Sequence, residues 1–466
     1  VIVKQKAEMD IKREPSSFRD PSGFVFFHQG SIYRQVNISY HRQYRHLMDS
    51  GLYRILVAKG WLLPYQEVDR LTDDPDAYRV IQPEWVKFLT YPYEWSFSQL
   101  KAAALLTLNI HKLALEYDMI LKDASAYNIQ FIHTQPVLID SLSFDFYQEG
   151  SPWIAYGQFC RHFLIPLVLM SELDIRLAQE LKNHLDGIPI DLASHLLKHK
   201  HSLFINQHIH WHALAIRKYQ AKPARPGRLA KIHINKAHVV AMVDAMISAI
   251  SSMKLKIKKT RWSDYYDQTN YSQASIEQKE KLVAEYVSQI KPKLLWDLGA
   301  NNGRFSRIAV NSGAGLVISF DNDALSVEMN YKLLQSQPMP ILPVLMDLTN
   351  PSPAIGFANQ ERKSIDQRNR PDCILALAIL HHLAIANNLP FDRIMTWLAD
   401  LTTYLIIEFI PKEDSQVQQL LANREDIFEH YHQESFERSL TAAFDILDSS
   451  PILQTKRSMY FCRKRQ

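Results

Sequence analysis

The run Trp296-Asp297-Leu298-Gly299-Ala300-Asn301-Asn302-Gly303-Arg304-Phe305-Ser306 constrains this chain more than any other stretch. An apolar run leads into Asp297, two glycines bracket a short polar stretch, and helical patterning resumes after Gly303. That pattern predicts a strand, a tight turn and a helix. Glycine at 299 and 303 lets a ligand approach the backbone closely, and the amides that open the helix face that ligand. Downstream, the apolar runs GLVISF, PILPVLM, CILALAIL and YLIIEF alternate with helical stretches. Strands separated by helices of this length predict a mostly parallel sheet covered on both faces. The last two runs, FDILDSS and SMYFCRK, lie close enough in sequence to form an antiparallel hairpin.

Successive strands deliver polar groups to one edge. The second runs into Asp321-Asn322-Asp323, the third ends at Met346-Asp347, and the fourth ends in Leu380-His381-His382. Ligands of open parallel sheets sit at the carboxyl ends of the strands, and an acid at the tip of the second is placed to accept hydrogen bonds from a ribose diol. Neither GxGxxG nor a Walker-type lysine is present, so nucleotide phosphates are not the expected ligand. The whole pattern resembles class I S-adenosylmethionine-dependent methyltransferases. DLGANNG at Asp297 to Gly303 is similar to their first motif, Asp321 to their ribose-binding acid, and Asp347 to their adenine-contacting acid. The resemblance implies a Rossmann-like seven-stranded sheet with an antiparallel last strand, and S-adenosylmethionine held by Asp297, Gly299, Asn301, Gly303, Phe305, Asp321, Asn322 and Asp347. More narrowly, NYS at Asn270 to Ser272, LALAILHHLAI at Leu375 to Ile385 and IIEFIPKED at Ile406 to Asp414 resemble a bacterial group of nodulation-type methyltransferases.

Methyl transfer requires near-attack geometry, exclusion of water and, for a protonated acceptor, a base. His381 and His382 have the right pKa range at the ligand edge. Adjacent side chains diverge, so only one of the two is expected to face the pocket, with His382 the preferred choice. Glu408, inside YLIIEF, is a further catalytic candidate or is paired within the sheet. Tyr265, Tyr266 and Tyr271 precede the domain as lid candidates, and Lys412, Glu413 and Asp414 follow the fifth strand.

The N-terminal half carries a second constellation. Asp123, Asn128 and Asp140 surround two short apolar runs, IQFI and PVLI, after a helix predicted over Ser98 to Tyr117. In phosphoryl transfer one Asp orients the substrate hydroxyl, while an Asn and a later Asp hold the metal ions. The stretch resembles the catalytic and metal-binding loops of protein-kinase-like and aminoglycoside-kinase-like families. That resemblance implies an α+β kinase-like domain. DSL stands at Asp140 to Leu142 in place of DFG, Gly23 and Gly30 make a poor nucleotide-covering loop, and no lysine occupies the expected early strand. Asp123, Asn128 and Asp140 therefore read as a vestigial site. The alternating histidines of HIHWH (208, 210, 212) lack nearby cysteines or carboxylates and lie among helical flanks, so no metal is expected there.

A Pro- and Lys/Arg-rich break at Gln220 to Lys231 suggests the division: 1–219 kinase-like, 220–260 a basic linker and connecting helix, 261–466 methyltransferase. With 466 residues, 47% hydrophobic and 22% charged, the chain has ample material for such cores. Its 53 basic against 49 acidic residues leave +4, too little to imply nucleic acid. The runs MKLKIKK and RKRQ make an RNA acceptor only a weak reading. Three scattered cysteines suggest a reducing compartment. No apolar run reaches the length of a membrane span, and the charged opening has no signal core. A cytoplasmic enzyme without a membrane partner is expected. Its acceptor is a small polar molecule or glycan, and its oligomeric state is open. The competing readings are a catalytically inactive binding or scaffold protein, and a bifunctional enzyme whose first domain is an ATP-dependent phosphotransferase.

Overall fold

The computed structural model describes residues 11–69, 71–197, 203–215, 234–256, 259–260, 271–422 and 424–465. The linker candidate at 220–231 and the tyrosines at 265 and 266 lie outside them. The chain forms two compact units, and neither is one contiguous stretch. The first comprises Val1–Tyr93, Gln99–Lys256 and Ala354–Lys363; the second comprises Glu94–Ser98, Ile257–Pro353 and Ser364–Gln466. The domain limits read from composition therefore differ from the contact units in three places. The helix Lys236–Ser252 joins the first unit instead of a linker, and two short segments change sides.

The first unit opens with β1 (Ile11–Arg13), β2 (Gly23–His28), β3 (Ser31–Asn37), β4 (Tyr65–Val68) and β5 (Ala77–Pro83) in one sheet of order β1-β2-β3-β5-β4. The β2–β3 hairpin turns at Gln29 and Gly30, both at positive φ, which matches the twist of the flanking strands. Helices α1 (His41–Asp49) and α2 (Leu52–Ala58) follow β3. Gly51, at φ +84°, separates α1 from α2. Helix α3 (Phe97–Glu116) precedes β6 (Met119–Leu121), β7 (Ile129–Ile132), β8 (Gln135–Leu138) and β9 (Phe144–Phe146). β7 pairs with β8 and β6 with β9. The segment Ala354–Lys363 is tied into this unit by Arg19, whose guanidinium donates twice to Glu361, and by Lys363, which donates to Glu14 at 2.9 Å.

The second unit is built on β10 (Leu294–Leu298), β11 (Leu316–Asp321), β12 (Ile341–Leu345), β13 (Cys373–Ala376), β14 (Tyr404–Phe409), β15 (Phe444–Pro451) and β16 (Ser458–Lys464). The order across the seven-stranded sheet is β12-β11-β10-β13-β14-β16-β15. The first five strands pair in parallel and β16 runs antiparallel to β14 and β15. The four inner apolar runs read as unbroken hydrophobic stretches because both sheet faces are covered. Val317, Leu375, Ile406 and Phe461 share one core cluster with Val283 and Phe305 from the flanking helices. The segment Glu94–Ser98 completes this unit. Glu94 is fully buried against Arg368, and Ser98 caps Glu328 through its amide and hydroxyl. The order reverses at β10, the position where open sheets form a crevice.

Among the described residues no helix is long and apolar enough to cross a membrane, and no group of three or more His, Cys, Asp or Glu is placed to hold a metal ion. His208 and His210 lie in a π-helical turn, Asn206–Trp211, facing Tyr156 at 2.6 Å and Ser194 at 3.0 Å.

Candidate active site

A cavity of about 260 Å³ opens at the carboxyl ends of β10, β11 and β13, near the small end of the roughly 300–1,000 Å³ typical of ligand pockets. Its wall includes Gly299, Ala300, Asn301 and Phe305 after β10, Asp321 and Asn322 at the tip of β11, and Ala378, Ile379 and His382 after β13. Two glycines shape the first turn. Gly299 has φ +73°, and a Cβ there would lie 3.1 Å from Ile379 Cδ1. Gly303 caps the helix Arg304–Asn311 at φ +76°, where a Cβ would meet Asn330 Oδ1 at 2.4 Å. Gly303 thus serves the turn and is not itself part of the cavity wall.

Asp321 is the fixed acid of the site. One carboxylate oxygen accepts the Asn301 amide at 2.7 Å and the other the Asp323 amide at 2.8 Å. Burial pushes its pKa up to about 6 despite those donors. Asp297 also lines the cavity and accepts the Ser306 hydroxyl at 2.6 Å; burial raises it to about 6 as well. Asp347 is not brought to this wall. It is exposed, and its Oδ1 accepts the amide and hydroxyl of Thr349 in the turn that follows β12.

The adjacent histidines separate. His382 lines the cavity at the start of a π-helical turn, His382–Ala386, a geometry that recurs at functional sites. His381 is buried with its pKa held well below the ordinary histidine value, first by desolvation and then by the neighbouring His382. Glu408 does not line the cavity; it is fully buried and already engaged. It accepts Lys279 Nζ at 2.7 Å, the Tyr271 hydroxyl at 2.5 Å and the Ala378 amide at 2.9 Å. Burial would raise its pKa, but Lys279 and Arg457 hold it below the usual carboxylate range. A carboxylate with both oxygens bonded and a depressed pKa is a poor proton acceptor, which corrects its reading as a catalytic group. Lys279 and Arg457 escaped the sequence reading. Lys279 stands on an otherwise mixed helix, Gln273–Ile290, and Arg457 in the hairpin before β16, with no local pattern to mark either as buried. Asp414 pairs with Arg457 at 2.8 Å, while Lys412 pairs with Asp426 at 2.8 Å.

In the first unit, Asp123 accepts the Ser125 amide and Gln158 Nε2, and Asn128 donates to the Ser143 hydroxyl at 3.4 Å. Asp140 accepts Arg34 Nη1 at 2.5 Å, the Leu142 amide and the Ser143 hydroxyl. Arg34 stands on β3, a basic residue on the early strand that a search for lysine passes over. Burial would raise Asp140, but chiefly the Arg34 charge holds it below the ordinary range, whereas burial and the Asp140 charge raise Asp123.

No family model matches the chain. It is 35% identical over 461 residues to the nodulation protein NoeA of Rhizobium meliloti, an alignment taking in 96% of this chain and 95% of the relative. Among solved structures, the N-methyltransferase NodS of Bradyrhizobium japonicum with S-adenosyl-L-homocysteine is 9% identical, covers 44% of this chain and 94% of its own, and has a TM-score of 0.33. The magnesium protoporphyrin IX methyltransferase of Synechocystis is 16% identical, covers 44% of this chain and 90% of its own, and has a TM-score of 0.30. The fold assignment rests instead on the sheet: a central β10, successive parallel strands on either side, and an antiparallel β16 inserted between β14 and β15. The chain belongs to the family of the nodulation protein NoeA, and its second unit has the class I S-adenosylmethionine-dependent methyltransferase fold.

Proposed function

We propose that the chain transfers a methyl group from S-adenosylmethionine to a small polar molecule or glycan, with His382 as the base. The observation that carries this reading is the cavity itself, which joins the Gly299 turn, the Asp321 carboxylate and His382 on one wall. The residues fit the cofactor. Gly299 leaves the backbone open, Asp321 offers a carboxylate for a ribose diol, and Phe305 and Ile379 supply apolar wall. When bound, the cofactor supplies an activated methyl on a sulfonium. The chain's own residues orient the acceptor, exclude water and take up its proton at the His382 imidazole. The scaffold alternative expects a closed pocket near Gly299, and a cavity lined by both Gly299 and His382 counts against it. Labelled methyl incubated with fractionated cell extract tests the proposal, the product being identified by mass. Labelled product is expected, and His382→Ala should slow its formation by about 10²–10⁴-fold. Absence of label, together with no binding of S-adenosylhomocysteine, would sink the reading.

We further propose that the first unit is a kinase-derived fold retired from catalysis. In protein kinases a lysine on the third strand and an Asp after the catalytic loop serve the phosphates and metal. Here β3 carries Arg34, whose guanidinium bonds to Asp140 and, at 3.2 Å, to Asp20. A fixed cation is thus seated on the carboxylate that a metal would need. Mg-ATP is expected to leave the thermal unfolding midpoint unchanged. Tight stabilisation that vanishes in Asp140→Ala would overturn this reading and favour a live phosphotransferase.

A further inference from the structure

We infer that Glu408 is a positioning residue that seats Tyr271 and the Ala378 turn on the cofactor cavity, an inference resting on the methyl-transfer reading above. Three wall residues, Tyr271 and Lys279 from one stretch of the sequence and Ala378 from another, converge on this one carboxylate behind the wall. Each contributes a donor, and Glu408 is their common acceptor.

The Ala378 bond carries the argument furthest. Ala378 has φ +50°, a left-handed conformation that crowds its Cβ against the following carbonyl oxygen. Such a conformation persists only where its surroundings over-determine it, and a charge-assisted bond from its amide to a buried carboxylate does so. The consequence reaches the cavity directly. β13 stops at Ala376, the chain turns at Ala378, and Ile379 comes to rest against Gly299. The Ile379 carbonyl then accepts the His382 amide at 3.0 Å, which opens the π-helical turn. Both the Ile379 part of the cavity wall and the His382 position beside it follow from the turn held at Ala378.

Tyr271 is held from three sides. Its hydroxyl donates to Glu408 and accepts from Lys279 Nζ at 3.1 Å, and the Arg457 guanidinium carbon lies 4.1 Å from its ring centroid. Arg457 in turn is clamped by Asp414 and lies 3.7 Å from Glu408. A phenol fixed in this way forms a rigid wall rather than a loose side chain. Rigid walls bind a ligand without an ordering cost.

The experiment uses the full-length protein and S-adenosylhomocysteine as the probe, with calorimetric Kd and thermal midpoint measured for the unmodified chain, Tyr271→Phe and Glu408→Gln. Tyr271→Phe keeps the ring and removes only the hydroxyl. It is expected to retain the midpoint within a few degrees while binding about five- to tenfold more weakly. Glu408→Gln is expected to weaken binding more than tenfold in whatever fraction folds. If the unmodified chain binds and Tyr271→Phe binds equally well, the positioning role is overturned while the methyl-transfer reading stands. If Glu408→Gln only lowers the midpoint, leaving Kd unchanged, the carboxylate is structural and the inference again fails. Failure of the unmodified chain to bind removes the methyl-transfer reading, and this inference with it.

Discussion

Replacing Glu94 with alanine is expected to destabilise the second unit by about 3–5 kcal/mol, the cost of leaving a buried charge without its partner. The Arg368 side chain is 1% exposed and that of Glu94 is 0% exposed. Their two parallel bonds, Nη1 to Oε2 at 2.9 Å and Nη2 to Oε1 at 2.6 Å, form a bidentate fork, and the Ser352 hydroxyl donates to the same carboxylate. Removing the carboxylate strands the guanidinium in the interior, where water cannot reach it. Domain stabilities of about 5–15 kcal/mol make this a large fraction of the whole. Urea titration followed by tryptophan fluorescence measures it, and a loss below about 1 kcal/mol would show that the pair contributes little. Glu94→Gln, which keeps volume and one acceptor, should lose less than Glu94→Ala.

The second large effect concerns Asp321. Asp321→Ala removes a charge-assisted acceptor for two ribose hydroxyls, worth about 1.5–3 kcal/mol, or about ten- to a hundredfold in affinity for S-adenosylhomocysteine. The pH dependence is a separate signature. The folded pKa of about 6 lies above the ordinary 3.8 because burial disfavours the charge, a gap corresponding to about 3 kcal/mol. A raised carboxyl favours the folded state when protonated. Its unfavourable contribution to the ligand-free protein is therefore fully present above pH 6 and fades as pH falls toward 4. Ligand binding runs the opposite way, because two hydroxyl donors require the ionised form. Affinity should be flat above about pH 7 and fall by up to about tenfold per pH unit below 6. Asp297, also raised to about 6 on the same wall, titrates over the same range and adds a dependence of its own. Asp321→Asn should flatten the curve down to that remainder. An unchanged curve would show that Asp321 does not serve the ligand.

The parallel sheet was legible because strands buried on both faces leave long apolar runs, and because the glycines at 299 and 303 answer local steric demands. The edge residues Asp321 and His382 followed from strand endings alone. Adjacency could not say which histidine turned inward; that depends on the Ala378 conformation, which an alanine does not advertise. Glu408 looked catalytic because a carboxylate in an apolar strand is conspicuous. Its partners lie 129 residues away at Lys279 and 137 away at Tyr271, beyond any local pattern. Asp347 misled because a strand end marks an edge but not the direction of the turn after it, and the Thr349 bonds fold its carboxylate into that turn. Arg34 does not match the lysine of a kinase-like motif, although either residue supplies a cation.

The interleaving of the chain bears on how it can be made. Residues 354–363 belong to the first unit and residues 94–98 to the second. A growing polypeptide therefore cannot finish the N-terminal body until more than a hundred residues of the C-terminal one have already emerged from the ribosome. Cutting the gene near the middle yields two fragments that each lack a piece of their own interior.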